Sequence, residues 1–191
     1  MKTNEKRVNE TLENTKTINK KGEKTMKTNY NFKGSDNTVI VDMWADVIYG
    51  LLEKINKLPD SESHARAGFI KVLGEAVRVL TDYIVPEASI PAAKFIESKG
   101  ADYSKLTWAN HPKIDPGRKN IVREHMTTCY EIKNKINASL NIEEVTDILT
   151  NDLRIVWITK AEDAKLTELG YKSRRPDPVK AYKEAGIEIL I

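Results

Sequence analysis

The chain has little of what several protein classes require. Its single cysteine, Cys129, excludes an internal disulfide, and its seven prolines and nine glycines are few for a turn-rich all-β protein. No apolar run reaches the roughly 18 residues of a membrane span, and the N-terminus lacks the apolar stretch of a signal peptide. There is also no P-loop, dinucleotide fingerprint, zinc-ligand spacing or Gly-x-Ser-x-Gly elbow. These absences predict a cytoplasmic protein without a membrane partner.

The positive charge is concentrated at the N-terminus. Residues 1–34 hold nine Lys and Arg against four Glu, whereas residues 35–191 hold 22 basic against 24 acidic residues. The first segment is rich in Lys, Asn and Thr and has few apolar side chains, so it cannot bury enough surface to offset its ordering entropy. We therefore predict a disordered basic tail over 1–34 and a single, mainly helical domain over 35–191.

The apolar spacing predicts a helical hairpin at the start of the domain. Apolar residues recur every three or four positions from Val39 to Ile55, and Pro59 ends this pattern. The same spacing returns as far as Ile84, where Pro86 ends it. Because the connection is short, the two helices are expected to lie antiparallel.

Shorter elements follow the hairpin. The remaining helices are predicted at 90–98, 127–136, 142–149, 160–169 and 179–185. Strands are predicted at 153–158, where Trp157 is expected in the core, and at 187–191. The fold class is thus α+β, mostly helical: an N-terminal helical hairpin followed by a loop, short helices and a small two-stranded element.

Two irregular segments stand out as candidate functional loops. The first, 107–119, has two prolines, a glycine, Trp108 and His111, and functional residues tend to collect on such loops. The second carries the adjacent Arg174 and Arg175. Arginine binds phosphate through two parallel hydrogen bonds, although a solvated turn, or pairing with Asp177, is the alternative. We expect that replacing both with alanine changes stability by less than about 1 kcal/mol, as is usual for surface residues.

Short motifs in the second half of the chain resemble phage and bacterial endonucleases of the HNH (ββα-metal) type. They are Asp-Pro-Gly-Arg-Lys at 115–119, Arg-Glu-His at 123–125 and Ile-Thr-Lys-Ala-Glu-Asp at 158–163. The resemblance implies a nuclease that uses Mg²⁺ or Mn²⁺ on DNA or RNA. It makes His125 the general base and Glu124 a metal ligand or orienting group. Independently of the resemblance, His111 is a further catalytic candidate because it lies in the proline-rich loop beside Trp108. The residues expected to contact nucleic acid are Arg118, Lys119, Arg123, Arg174 and Arg175.

The sequence also departs from that pattern. No histidine follows His125, so the family's second histidine has no counterpart, and Glu143, Glu144 or Asp147 would have to replace it. Two further functions therefore stay open. One is a non-catalytic, protein-binding regulator or inhibitor of phage or bacterial origin. The other is a binder or enzyme of a small phosphorylated molecule, so the sequence does not decide whether the protein is an enzyme.

Overall fold

A computed structural model describes residues 37–190. Our prediction of a disordered tail concerns residues 1–34, which lie outside the described part. In chain order the described elements are α1 (Asn37–Lys57), α2 (Ser63–Leu80), β1 (Glu87–Ala88), α3 (Ile90–Ser98), α4 (His111–Ile114), β2 (Ile121–His125), α5 (Cys129–Asn137), α6 (Ile142–Asn151), β3 (Ile155–Thr159), α7 (Lys160–Glu168) and α8 (Pro178–Glu184), with 3₁₀ turns at Asp60–Glu62, Thr81–Tyr83 and Tyr103–Lys105.

The predicted helical pair is present at the start of the domain. Helix α1 ends two residues before Pro59, and the Arg66 guanidinium donates to the carbonyl oxygens of Ile55 and Leu58, which fixes the connection to α2. Helices α5 and α6 complete a helical layer with this pair. Its buried side chains include Ile48, Leu73, Val77, Ile132, Ile136, Val145 and Leu149.

The sheet has three strands in the order β1-β3-β2. Strand β1 is parallel to β3, and β2 is antiparallel to it. The α+β, mostly helical class is confirmed, but the sheet differs from the predicted pair. The segment 187–191 contributes only an isolated bridge between Ile189 and Ser89 within the described residues. Strand β2 has the sequence Ile-Val-Arg-Glu-His. Its three consecutive polar residues break the alternation of apolar and polar residues that indicates a strand.

The central strand β3 is buried on both faces. Ile155 joins the helical core and Trp157 packs with α3, whereas Val156 and Ile158 lie on the opposite face with α7 and α8. Trp157 is fully buried, so its prediction as a core residue is confirmed. Strand β2 is an edge strand that pairs with β3. Its alternate side chains therefore lie in two different environments, one on each face of the sheet.

Side-chain caps set where the short helices begin. Thr159 and Glu162 form a capping box at α7, and Asn141 accepts from the Glu144 amide at the start of α6, as the sequence predicts. No helix between residues 37 and 190 combines the length and the apolarity needed to cross a bilayer.

Candidate nucleic-acid interface

Glu124 and His125, which the resemblance pairs, lie on opposite faces of the sheet. Successive side chains of a strand alternate between faces, and β2 pairs with β3 in unbroken register. His125 is opposite Ile155, on the helical-layer side, while Glu124 is opposite Val156, on the other side. The imidazole and the carboxylate therefore do not share a site.

His125 is poorly suited to take a proton from water at a phosphodiester. Its Nε2 atom is inaccessible to solvent and has no hydrogen-bond partner among the described residues. Burial, followed by the charges of Arg123, Arg78 and Arg175, lowers its pKa to about 4. Because an efficient general base has a pKa near the working pH, a buried imidazole of this kind is a weak candidate.

Arg175 holds the opposite side of β2. Its Nη2 donates to Glu124 Oε1 at 2.9 Å, and its Nη1 donates to the carbonyl oxygens of His125 and Met126. Both Nε and Nη2 also donate to the Tyr171 carbonyl. Burial raises the pKa of Glu124, and the guanidinium opposes that rise. Our prediction that Arg175 is an exposed phosphate ligand is wrong, because the side chain is 1% exposed and each of its nitrogens is engaged.

Arg123 also has a structural position. Its guanidinium donates to the Thr81 carbonyl and, at 3.2 Å, to the Thr81 hydroxyl, and it lies 3.5 Å from Asp82. These contacts tie β2 to the carbonyl end of α2, where a cation is favourable. The expected phosphate contact of Arg123 has no support in this geometry, since its side chain is largely buried.

His111 and Asp115 form a buried pair inside the first candidate loop. His111 Nε2 lies 3.3 Å from Asp115 Oδ2, and its ring packs edge-on against Trp157 with 4.8 Å between centroids. Burial lowers the pKa of His111, although Asp115 opposes this. Because neither side chain of the pair is accessible, the expectation that His111 acts directly on a substrate has no geometric support.

Asp115 fixes the conformation of this loop. Its carboxylate accepts the backbone amides of Lys119, Asn120 and Ile121, together with the Asn120 side chain. Burial alone would raise the pKa of Asp115, but these hydrogen bonds outweigh burial and lower it. Converging backbone amides often bind phosphate, but here the protein's own carboxylate occupies that position.

The locked loop presents Arg118 on an exposed aromatic ring. Gly117 and Arg118 both have left-handed backbones, with φ of 74° and 52°, a conformation that is unfavourable for arginine. It places the Arg118 guanidinium 3.6 Å from the centroid of the Trp108 ring and lets Nη2 donate to the Trp108 carbonyl. Trp108 is 50% exposed, and Lys119 beside it is also exposed.

A second arginine–aromatic pair lies at the start of α5. Arg174, the exposed neighbour of Arg175, lies 5.3 Å from the centroid of the Tyr130 ring, and Lys133 Nζ lies 5.9 Å from it. Tyr130 is 41% exposed. Two of the arginines predicted to contact nucleic acid are not buried. These two, Arg118 and Arg174, each lie against an accessible aromatic ring.

The divalent metal implied by the resemblance stays a prediction. Between residues 37 and 190 no cluster of three or more His, Cys, Asp or Glu residues is arranged to hold a metal ion. Glu124 is paired with Arg175 rather than with another carboxylate. Glu143, Glu144 and Asp147 lie on α6, where Glu144 accepts the Leu140 amide.

No protein-family model, curated protein or solved structure matches this chain. The HNH hypothesis therefore depends on the short motifs alone, and the structure separates Glu124 from His125, the two residues that those motifs pair.

Sequence reasoning missed Asp115, Tyr130 and Lys133. The Asp-Pro-Gly run around Asp115 is a turn signal, because an aspartate side chain readily bonds to amides that follow it. Tyr130 and Lys133 are three residues apart on a helix, which places them side by side. Nothing in the sequence alone indicates that Arg174 joins them from a distant loop.

Proposed function

We propose that the protein binds single-stranded nucleic acid without cleaving it, and that Trp108 and Arg118 form the primary contact. The observation that supports this best is the stack of the partly buried Arg118 on the half-exposed Trp108 ring, 3.6 Å from guanidinium to ring centroid, on a loop that buried Asp115 holds in place. An exposed ring gives an unpaired base a stacking surface, and a nearby guanidinium attracts the phosphate backbone.

A single strand suits this surface better than a duplex. The described residues include no long basic helix of the kind that enters a major groove, and residues 35–191 carry 22 basic and 24 acidic side chains. Attraction must therefore come from a local group of cations. Stacking on Trp108 requires an unstacked base, which a single strand supplies without the cost of melting a duplex.

The direct test is a binding titration with labelled single-stranded DNA, single-stranded RNA and duplex DNA at about 50 mM and about 200 mM salt. We expect tighter binding to single strands, weakening with salt. Trp108→Ala should weaken binding by about tenfold or more, whereas Trp108→Phe should retain most of it. Lys54→Ala, which removes an exposed lysine of α1, is the charge control. Wild-type protein that binds no nucleic acid would contradict the proposal.

A mononucleotide titration separates this proposal from the small-molecule alternative. If ATP competes as well as an oligonucleotide does on a molar basis, the site is built for a small phosphorylated molecule. We expect the oligonucleotide to bind more tightly, since several phosphates contribute.

Incubation with Mg²⁺ or Mn²⁺ tests the absence of cleavage. We expect the single strand to remain intact. Metal-dependent cleavage that disappears in His125→Ala, while the variant stays folded, would instead support the nuclease hypothesis.

A further inference from the structure

A groove between α2 and α5 carries a second set of cations beside an exposed aromatic ring. Its volume is about 430 Å³, and its floor includes Gly74 of α2. The residues that line it and can contact a ligand through charge, a ring or a thiol are Lys71, Glu75, Arg78, Cys129, Tyr130 and Lys133. Three of these six are cations, and Glu75 is paired with one of them, Arg78.

Tyr130 stands at the edge of this groove between two cations from different elements. Lys133 comes from the next turn of α5, and Arg174 comes from the loop between α7 and α8. Arg174 is set in place by its neighbour Arg175, whose backbone amide donates to Glu131 Oε1 and whose side chain is buried. The second loop thus uses a buried arginine to bring an exposed arginine to an aromatic ring.

A second groove lies at the end of α2, and Arg123 and Thr107 are among the residues that line it. Arg78 lines the α2–α5 groove, and Asp82, one helical turn later, lines an adjacent groove that extends to Lys105 and Thr107. Thr107 immediately precedes Trp108. Strand β2, whose Arg123 lines the second groove, is about 13 Å long between its terminal Cα atoms. That span matches a short stretch of extended single strand.

We propose that Tyr130 stacks a second base and that Arg174 and Lys133 hold the phosphates beside it. One single strand would then run from Trp108 across the end of α2 into the α2–α5 groove. This inference rests on the proposed function. It adds a second subsite, a path for the bound strand and a dependence of affinity on strand length. Strands of several nucleotides engage both rings, whereas very short ones engage only the first.

A length series tests the second subsite. Oligothymidylates of about 4 to about 16 nucleotides, the range of typical single-strand sites, are titrated against wild type, Trp108→Ala and Tyr130→Ala. In the wild type, affinity should rise with length until both rings are occupied. Tyr130→Ala should leave the shortest oligonucleotide unaffected and weaken the longest about tenfold, whereas Trp108→Ala should weaken every length. Tyr130→Phe should behave as wild type, as should Leu140→Ala at an exposed residue outside the groove.

The single cysteine supplies an independent readout. Cys129 lines the groove and is the chain's only thiol, so its rate of alkylation reports whether the groove is covered. A long oligonucleotide should slow alkylation several-fold, and a short one should not. In Tyr130→Ala the protection should be lost.

The outcomes separate the two proposals. If Trp108→Ala weakens binding but Tyr130→Ala matches the wild type at every length and Cys129 stays unprotected, the second subsite is wrong and the proposed function stands. If wild type binds no oligonucleotide of any length, both are wrong. Thermal melting of each variant checks that it is folded.

Discussion

Two loops of the molecule, 107–120 and 169–177, are each anchored by a buried charged residue. The two anchors have opposite charges. Each presents to an aromatic ring one arginine that is not buried, and each is held by one buried charged group. In the first loop the buried group is Asp115, which accepts hydrogen bonds from backbone amides. In the second it is Arg175, which donates hydrogen bonds to backbone carbonyls. A charged residue in an irregular loop can therefore be the anchor or the contact, and its type does not indicate which.

The largest expected effect comes from removing the arginine anchor. Arg175→Ala leaves Glu124 buried without its partner and frees the carbonyls of His125, Met126 and Tyr171. Breaking a buried ion pair by removing one partner typically costs about 3–5 kcal/mol. Urea unfolding should show this loss, whereas Arg174→Ala should change the free energy of unfolding by less than about 1 kcal/mol. Equal effects of the two substitutions would remove the distinction between anchor and contact.

The aspartate anchor should give a somewhat smaller loss. Asp115→Ala leaves the amides of Lys119, Asn120 and Ile121 without their acceptor, at an expected cost of about 3 kcal/mol because water reaches part of this loop. Hydrogen exchange should show local opening of these amides before global unfolding. Exchange rates that match the wild type would show that the loop does not depend on the carboxylate.

Low pH should lower the free energy of unfolding through two histidines, and by different amounts. His111 lies next to the anchor Asp115, and His125 lies next to the anchor Arg175. Burial lowers the pKa of both His111 and His125, but Asp115 opposes the change at His111, whereas Arg175 adds to it at His125. An unfolded histidine titrates near 6.5, so the unfolded state binds protons first and stability falls as the pH drops from there toward about 4.

For His125 this loss is on the order of 3 kcal/mol across that window. His125→Gln should remove more of the acid-dependent loss, measured by urea unfolding at several pH values, than His111→Gln does. His64→Gln, at an exposed histidine, is the control. A larger effect of His111→Gln would reverse the assigned roles of the neighbouring charges.

The smallest effect on stability is expected at the strained contact residue. Arg118→Gly relieves the left-handed backbone but loses the stack on Trp108, and these changes offset each other to within about 1 kcal/mol. Binding of single strands should nevertheless weaken about tenfold or more. Stability lowered by several kcal/mol would mean that Arg118 is itself an anchor.

Most of the helices could be predicted from the sequence because their determinants are local. The spacing of apolar residues and the caps at Asn141 and Thr159 act within one or two turns, and the structure contains the corresponding helices. Strand β2 could not be predicted in this way. Two of its three polar residues are partly buried and satisfied by remote partners: Arg123 by the end of α2, and Glu124 by Arg175.

Dependence on remote contacts also limits how much of the candidate site can be predicted from the sequence. The exposed Trp108 loop could be found from its composition, since prolines, glycine and a large aromatic mark an irregular segment. The separation of Arg174 from Arg175 could not, because it depends on carbonyl groups about 50 residues away. Local patterns also cannot show that Glu124 and His125 have separate surroundings until β2 is known to be a strand.

The position of β3 has a consequence for how the chain folds during synthesis. Ile155, Trp157 and Val156 each belong to a different apolar cluster, so no cluster is complete until residues near 155–159 have left the ribosome. Of the two strands that pair with β3, β1 waits longer, because its partner lies 69 residues later in the chain. Pairings so distant in sequence form slowly. The nascent helical hairpin therefore keeps an apolar face uncovered until late in translation, a period in which chaperone binding would protect the chain from aggregation.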